Sequence, residues 1–443
     1  MGREIAAQNA SVVNEQLYRR VNAAIAVVAL SLRLAWVSWA TRAPSSIFYD
    51  PSRYLSYGNE IASGNGMVEW LTRAPTAYYP PGYPWFVGIV TWLSSPFTDQ
   101  PWNAVGVVQA LLGTASALMV GWIARRIAGP IAGLVAAGVY AIYPNLIFHT
   151  GVVLSETLYI FLFLAFLMVL LSRPWNSEFS LQRALGAGVL LGLAVMVRPI
   201  SLAVVPVVAL CWMMARKDFK VVARWSAALM VGVLACIVPW TVRNAIRLDG
   251  FVLISTNTGD NLCMGHADGA TGSFAILEKC EVPYEFLDGV EAELRGDREK
   301  QRIAIRSTLE NLPREPWLLW RRTYFTWVRD GDHDGLFASQ TYRHDRWMAI
   351  PTEARLIWIA DRMYWLVVVL GLVGCLQLIR YRRPDGVLLV GSALMTAAVP
   401  LAFFGDQRFK VPVIPLLIIV GATLLKSREE PVEPSGDPPA SSP

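Results

Sequence analysis

Phe48-Tyr49-Asp50-Pro51-Ser52-Arg53-Tyr54, continued by Tyr78-Tyr79-Pro80-Pro81-Gly82-Tyr83-Pro84, is the stretch on which the fold turns. It follows the first long apolar segment, Val21 to Ala40, directly. It sets an acid and a base three residues apart, Asp50 and Arg53. Ser52 to Ala62 then carries a helical pattern ended by Gly64-Asn65-Gly66. The second half is dense in Tyr, Pro and Trp, the residues of a rigid surface at a membrane interface.

Working outward, the composition agrees with that setting. Of 443 residues 54% are apolar and 16% charged, against about a quarter charged in a soluble chain. Seventeen Trp and 27 Pro fit a polytopic membrane protein with aromatic belts. The net charge of +5 is too small to argue for nucleic acid, and five Cys are too few for a disulfide framework. Val21 to Ala40 is too long for a signal-peptide core and lacks a cleavage site, so it reads as a retained anchor.

Apolar segments near 21–40, 102–124, 130–148, 152–172, 182–198, 199–215, 220–240, 360–379, 386–404 and 410–425 read as ten spans in an all-α chain, each close to the ~20 residues a bilayer core needs. The two around Arg198-Pro199 also read as one long kinked helix. Tyr83 to Phe97 is apolar but short, and decides the topology. Read as a juxtamembrane helix on the outer surface, it leaves the basic loops at Arg19-Arg20, Arg125-Arg126, Arg173 with Arg183, Arg216-Lys217-Lys220, Arg380-Arg382-Arg383 and Lys426-Arg428 all in the cytosol. The expected organisation is a transmembrane module over 1–240 with a first outer loop at 41–101, a large extracytoplasmic loop at 241–355, C-terminal spans over 356–426 and a disordered cytosolic tail at 427–443. Both termini are then cytosolic and the protein sits in the plasma (inner) membrane. Cys263 and Cys280 fall together in the oxidising outer compartment, where bridged and free forms are both open. In the large loop Glu285 to Leu312 has a helical pattern, and Trp317 to Val328 is interfacial, with three Trp around Arg321-Arg322.

This topology brings Asp50, Arg53, Glu156, Arg198, Asp406 and Arg408 to one face of the membrane, and ionisable residues at span ends facing one cavity mark a functional site. A carboxylate such as Asp50 suits a general base beside a carbon that turns cationic; Asp50-Pro51 is equally a good helix N-cap. Glu156 at the start of the fourth span needs a partner, and reads as a second acid, an orienting group or a capping Glu. Two carboxylates, with His149 nearby, are candidate ligands of a divalent metal, although nothing in the sequence requires a cofactor. The guanidinium groups of Arg53, Arg198 and Arg408 offer paired donors to a phosphate. Asp406 reads as a neutralising partner of Arg408, and Arg198-Pro199 as a simple helix break. Arg33, inside the first span, either snorkels or pairs with an acid.

These motifs resemble the GT-C glycosyltransferases that use a polyprenyl-phosphate sugar: protein O-mannosyltransferases, lipid A aminoarabinose transferases and rhizobial-type galacturonosyltransferases. Asp50 matches their first-loop acid, Arg53-Tyr54 the basic and aromatic residues after it, Glu156 their second acid, and Gly405 to Pro412 their Arg-aromatic-basic-x-Pro ending. Arg243-Asn244, Asn257-Gly259-Asn261 and Gly265 resemble the start of their large outer loop, where a stretch closed by Asx turns is the other reading. Many members carry Lys where this chain has Tyr79, and Gly-Asn where it has Gly265-His266. The resemblance implies a GT-C fold and an inverting transferase with Asp50 as base. Tyr54, Tyr79, Tyr83, Arg243, Asn244, Asn257 and Asn261 would line the substrate pocket. The partners implied are a polyprenyl-phosphate-linked sugar donor, a lipid, glycan or protein acceptor, and the lipid bilayer. A transporter or flippase of lipid-linked sugars is the rival class; it predicts ionisable residues near the midplane and paired halves, which the sequence lacks. Asp330-Gly331-Asp332-His333-Asp334-Gly335 resembles half of a calcium loop, but Thr341 stands where Glu is needed.

Overall fold

The computed structural model describes residues 2–44, 50–175, 177–216, 218–281, 289–331 and 348–425. Helix α1 (Gly2–Ala40) leads to a connection holding α2 (Asp50–Ala62) and α3 (Gly82–Ser94). Then follow α4 (Pro101–Ala128), α5 (Pro130–Ile142), short α6 (Pro144–Phe148), α7 (Glu156–Leu171), α8 (Leu181–Val197), α9 (Val204–Arg216) and α10 (Phe219–Arg247). The large connection contains α11 (Thr258–His266), α12 (Gly289–Glu310) and α13 (Glu315–Trp327). Helices α14 (Ile350–Tyr381), α15 (Pro384–Ala397) and α16 (Val399–Ala402), a 3₁₀ stretch (Gln407–Val413) and α17 (Ile414–Ala422) complete the chain. Among the described residues there is no β-strand, only two isolated bridges. The tail at 427–443, the calcium-loop-like residues 332–334 and Thr341 lie outside the described residues.

The ten expected spans all fall on helical segments, and those at 130–148, 199–215, 386–404 and 410–425 each run over more than one. Among the described residues six helices are long and apolar enough to cross a bilayer, α5 and the segment that follows it form a pair bent by 59°, a broken span or a re-entrant loop, and Glu156–Leu171, Leu181–Val197 and Pro199–Ala215 are shorter apolar helices near the ~17-residue lower limit. Helix α3 has only 13 residues. It exposes Trp85, Ile89, Trp92 and Leu93 at helical spacing, the stripe of a helix lying in an interface, and packs its other face on α2. Helix α2 stops in a Schellman closure: Asn65 N–H bonds Glu60 O at 2.9 Å, Gly64 N–H bonds Ile61 O at 3.0 Å, and Gly64 has φ +81°, where a Cβ would strain the chain.

Prolines set the breaks near the site. Pro199 pushes Arg198 out of the helical region, to φ −141° and ψ 103°, because the preceding residue clashes with the ring. The span pair there is therefore two helices broken at Arg198, not one kinked helix. Pro144 has no N–H for Tyr140 O, which keeps only a long 3.4 Å bond from Tyr143 N–H, so the end of α5 is short of backbone donors. Arg33 supplies donors: its Nη2 lies 3.3 Å from Tyr140 O and its Nη1 3.0 Å from Ala141 O and 3.1 Å from Ala29 O. Arg33 is fully buried. This corrects both sequence expectations for Arg33, which neither snorkels nor meets an acid. Backbone groups short of partners at membrane depth must be satisfied within the protein, and here a cation does it.

The large connection is tied to the first one. Ala77 N–H donates to Glu293 at 2.9 Å and Thr256 N–H to Ala77 O at 3.0 Å, while within the large connection Lys300 pairs with Asp260 at 2.6 Å. Burial pushes the Glu293 carboxyl up, against the hydrogen bonds from Thr256, Thr76 and Ala77 that pull it down. Cys263 and Cys280 are disulfide-bonded, with Cα atoms 5.9 Å apart.

Candidate functional site

Four helix ends meet at one point. Asp50 is the first residue of α2, Glu156 the first of α7, Arg198 follows α8, and Arg408 lies in the 3₁₀ stretch before α17. A carboxylate at a helix N-terminus is favoured by the dipole, which suits both acids. Their side chains interlock. Arg408 donates from Nη1 to Asp50 Oδ2 and from Nε to Glu156 Oε1. Arg198 donates from Nη2 to the same Glu156 Oε1, and Tyr79 OH donates to Asp50 Oδ1. Glu156 is fully buried, Arg408 and Arg198 are 13% and 16% exposed, and Asp50 is 32% exposed. A fully buried carboxylate without a partner is costly; two guanidinium groups offset that. Asp50 faces the open side.

An aromatic shelf backs Asp50. The Tyr54 ring lies 4.7 Å from Tyr79 and 4.8 Å from Tyr83 between centroids. Tyr83 OH donates to Gln109 Oε1 at 2.9 Å, and Gln109 Nε2 donates to Val152 O at 2.8 Å. The shelf is thereby fixed to α4 and to the turn before α7. Arg53 lies over the Tyr78 ring at 4.9 Å, and Tyr78 packs on Tyr79 of this cluster.

The remaining sequence candidates take other positions. Arg243 donates to Thr76 O at 2.8 Å and Met67 O at 2.7 Å, and stacks on Trp240 at 4.6 Å. Asn244 is buried and donates to Val252 O at 3.1 Å. Both hold connections together. Asn257 accepts from Ser255 Oγ at 3.0 Å, and Asn261 sits one turn into α11. His266 is surrounded by Glu315 at 3.1 Å, Thr308 at 3.1 Å and Ala402 O at 3.0 Å. Asp406 does not neutralise Arg408: its Oδ1 accepts the Arg408 backbone N–H at 2.8 Å, so it caps the 3₁₀ turn. His149 is buried with Nδ1 2.8 Å from Asn145 O. Among the described residues no three His, Cys, Asp or Glu side chains converge as a metal group needs. Asp50, Glu156 and His149 therefore do not form a ligand set.

Sequence reasoning missed a second buried cluster beside the first. Lys410 Nζ lies 3.3 Å from Asp330 Oδ1 and 2.5 Å from Arg329 O, and both charged side chains are fully buried. Tyr143 OH and Asn145 Nδ2 also donate to Asp330, at 2.6 and 3.0 Å. The signal was a Lys at the mouth of an apolar span, where a charge needs a partner.

Residues 79–242, which hold Tyr79, Tyr83, Glu156 and Arg198, match the family model described as dolichyl-phosphate-mannose-protein mannosyltransferase. The oligosaccharyltransferase of Archaeoglobus fulgidus, tethered with an acceptor peptide, aligns over 92% of this chain at TM-score 0.55 and 12% identity. The chain shares the fold of that structure. AglB from the same organism, in complex with an inhibitory peptide and a dolichol-phosphate, aligns over 93% of the chain at TM-score 0.55 and 14% identity. The chain spans about half the length of these two structures, 49% and 50%. ArnT from Cupriavidus metallidurans, bound to undecaprenyl phosphate, aligns over 92% of this chain and 77% of its own at TM-score 0.40 and 14% identity. No curated protein matches the chain by sequence. Asp50, Arg53 and Arg408 lie outside the family match; Asp50 and Arg408 join the site through the contacts above.

Proposed function

We propose that this protein is an integral-membrane glycosyltransferase that moves a sugar from a polyprenyl-phosphate donor to a hydroxyl acceptor on the extracytoplasmic face, with inversion. The observation that carries this reading is Arg408 held between Asp50 and Glu156 with Arg198 on the same Glu156 oxygen. Two carboxylates and two guanidinium groups balance one another before substrate arrives.

In the proposed step Asp50 takes the acceptor proton, the acceptor oxygen bonds the anomeric carbon, and the bond from that carbon to the phosphate oxygen breaks. The electron pair leaves with the polyprenyl phosphate. One negative charge thereby passes from Asp50 to the phosphate. Arg408 contacts Asp50 beforehand, so a small swing lets its fork follow the charge to the leaving group. The partial exposure of Asp50 leaves room for an acceptor, whereas Glu156 is closed off. Tyr54 and Tyr83 are buried and support the wall behind Asp50 rather than meeting the sugar directly. The likeness to an oligosaccharyltransferase solved with a dolichol-phosphate supports a lipid-phosphate donor.

The test is incubation of purified protein in nanodiscs with polyprenyl-phosphate sugars of several classes. Formation of free polyprenyl phosphate together with a glycosylated acceptor supports the reading. Movement of intact donor between leaflets without cleavage would replace it with a flippase.

A further inference from the structure

The 3₁₀ stretch from Gln407 to Val413 presents successive side chains about 120° apart. Arg408 and Lys410 therefore leave it in different directions, one toward Asp50 and Glu156, the other into the protein. What Lys410 meets is a closed cage. Asp330 lies 3.3 Å away, Arg329 O 2.5 Å, and the Tyr364 ring centroid 5.0 Å. Asp330 in turn takes Tyr143 OH at 2.6 Å and Asn145 Nδ2 at 3.0 Å from the α5–α6 break. The Asp330 and Gly331 backbone N–H groups donate to Asp361 of α14 at 2.7 and 2.8 Å. Just upstream, Gly405 N–H bonds Gly272 O at 2.8 Å, and a Cβ on Gly405 would fall 2.3 Å from Arg322 O. The segment carrying Arg408 is thus pinned on both sides.

A buried ion pair costs much desolvation and is best attested as a device that fixes one arrangement over its rivals. We propose that Lys410 and Asp330 form a positioning clamp that sets the Arg408 guanidinium between Asp50 and Glu156, and ties that placement to the α5–α6 break. Neither residue touches the reacting groups. The catalytic part of this inference rests on the transferase reading; the positional part does not.

The clamp is tested by Lys410→Met, Asp330→Asn, Lys410→Arg and the milder Tyr143→Phe, each alone and combined with Arg408→Ala. Misplacement of a catalytic group by about 1 Å costs on the order of 10²-fold, so Lys410→Met should lower kcat by about that factor. Lys410→Arg should recover part of it, and Tyr143→Phe should show a smaller loss. In the Arg408→Ala background the same changes should add almost nothing, because residues acting as one unit are not additive. Losses that multiply would overturn the clamp. If Lys410→Met or Asp330→Asn does not insert, Tyr143→Phe and Lys410→Arg carry the cycle. Independently of turnover, amide exchange over residues 405–412 should rise in Tyr143→Phe and Lys410→Arg protein. Unchanged exchange would overturn the clamp, while raised exchange in a protein without transfer would count against the transferase reading alone.

Discussion

Arg408→Ala separates the chemistry of the site from its stability. Its removal leaves Glu156 paired with Arg198 and Asp50 bonded to Tyr79. The loss of stability should therefore stay below the ~3–5 kcal/mol of stranding a buried ion. Asp50, a third exposed, rehydrates. The reaction loses more. A preorganised donor aimed at developing charge is worth on the order of 10²–10³ in kcat, or ~2.7–4 kcal/mol, and Arg408 is the guanidinium in contact with both acids. Arg408→Lys should recover only part, since an ammonium cannot reproduce the fork that meets Asp50 and Glu156 together. The assay is initial rate against donor concentration, with donor binding and thermal stability measured on the same preparations. An alanine variant within about fivefold of the parent, equivalent to ~1 kcal/mol, or a Lys variant equal to it, would refute the argument.

Arg33→Met leaves Ala141 O without its arginine donor and Tyr140 O with only the 3.4 Å bond from Tyr143 N–H; an unsatisfied buried carbonyl costs ~1–3 kcal/mol, so thermal stability in detergent should fall, and an unchanged melting temperature would contradict the capping role. Because burial raises the Glu293 carboxyl, the folded state holds its proton more tightly than the opened state does. The contact between the first connection and α12 should then be strongest below the ordinary carboxylate range and weaken as pH rises through the raised value. Amide exchange at residues 76–79 and 256–260 reads this, and Glu293→Gln should flatten the dependence. Cys placed at residue 297 should react with an impermeant maleimide in intact cells, and Cys at residue 382 should not; the opposite pattern would reverse the topology.

Much of the helical frame was legible because a bilayer leaves few solutions: apolar runs of the right length become helices, and prolines mark their breaks. Asp50, Glu156, Arg198 and Arg408 were legible as charges at span ends. Which carboxylate each arginine meets was not, since those contacts span up to 358 residues of chain. Arg33 was misread because sequence offers it lipid headgroups or acids, not the carbonyls at the end of α5, 108 residues away. Asp406 was misread because it precedes Arg408, yet its short side chain reaches the backbone first. Asp330 was set aside as part of a failed calcium motif, and Lys410 passed as one basic residue of a motif; their pairing is a tertiary fact.

The most direct test of the account is transfer by Asp50→Asn protein. The substitution keeps size, and Asn can still accept from Tyr79. It removes the charge that meets Arg408 and the base for the acceptor hydroxyl. General-base catalysis is worth ~10²–10⁴-fold. The account predicts that the variant inserts, binds a polyprenyl-phosphate sugar as the parent does, and transfers it at least ~10²-fold more slowly. A variant that binds donor and turns over within about tenfold of the parent, short of the general-base range, would contradict the role of Asp50 on which the proposed mechanism stands.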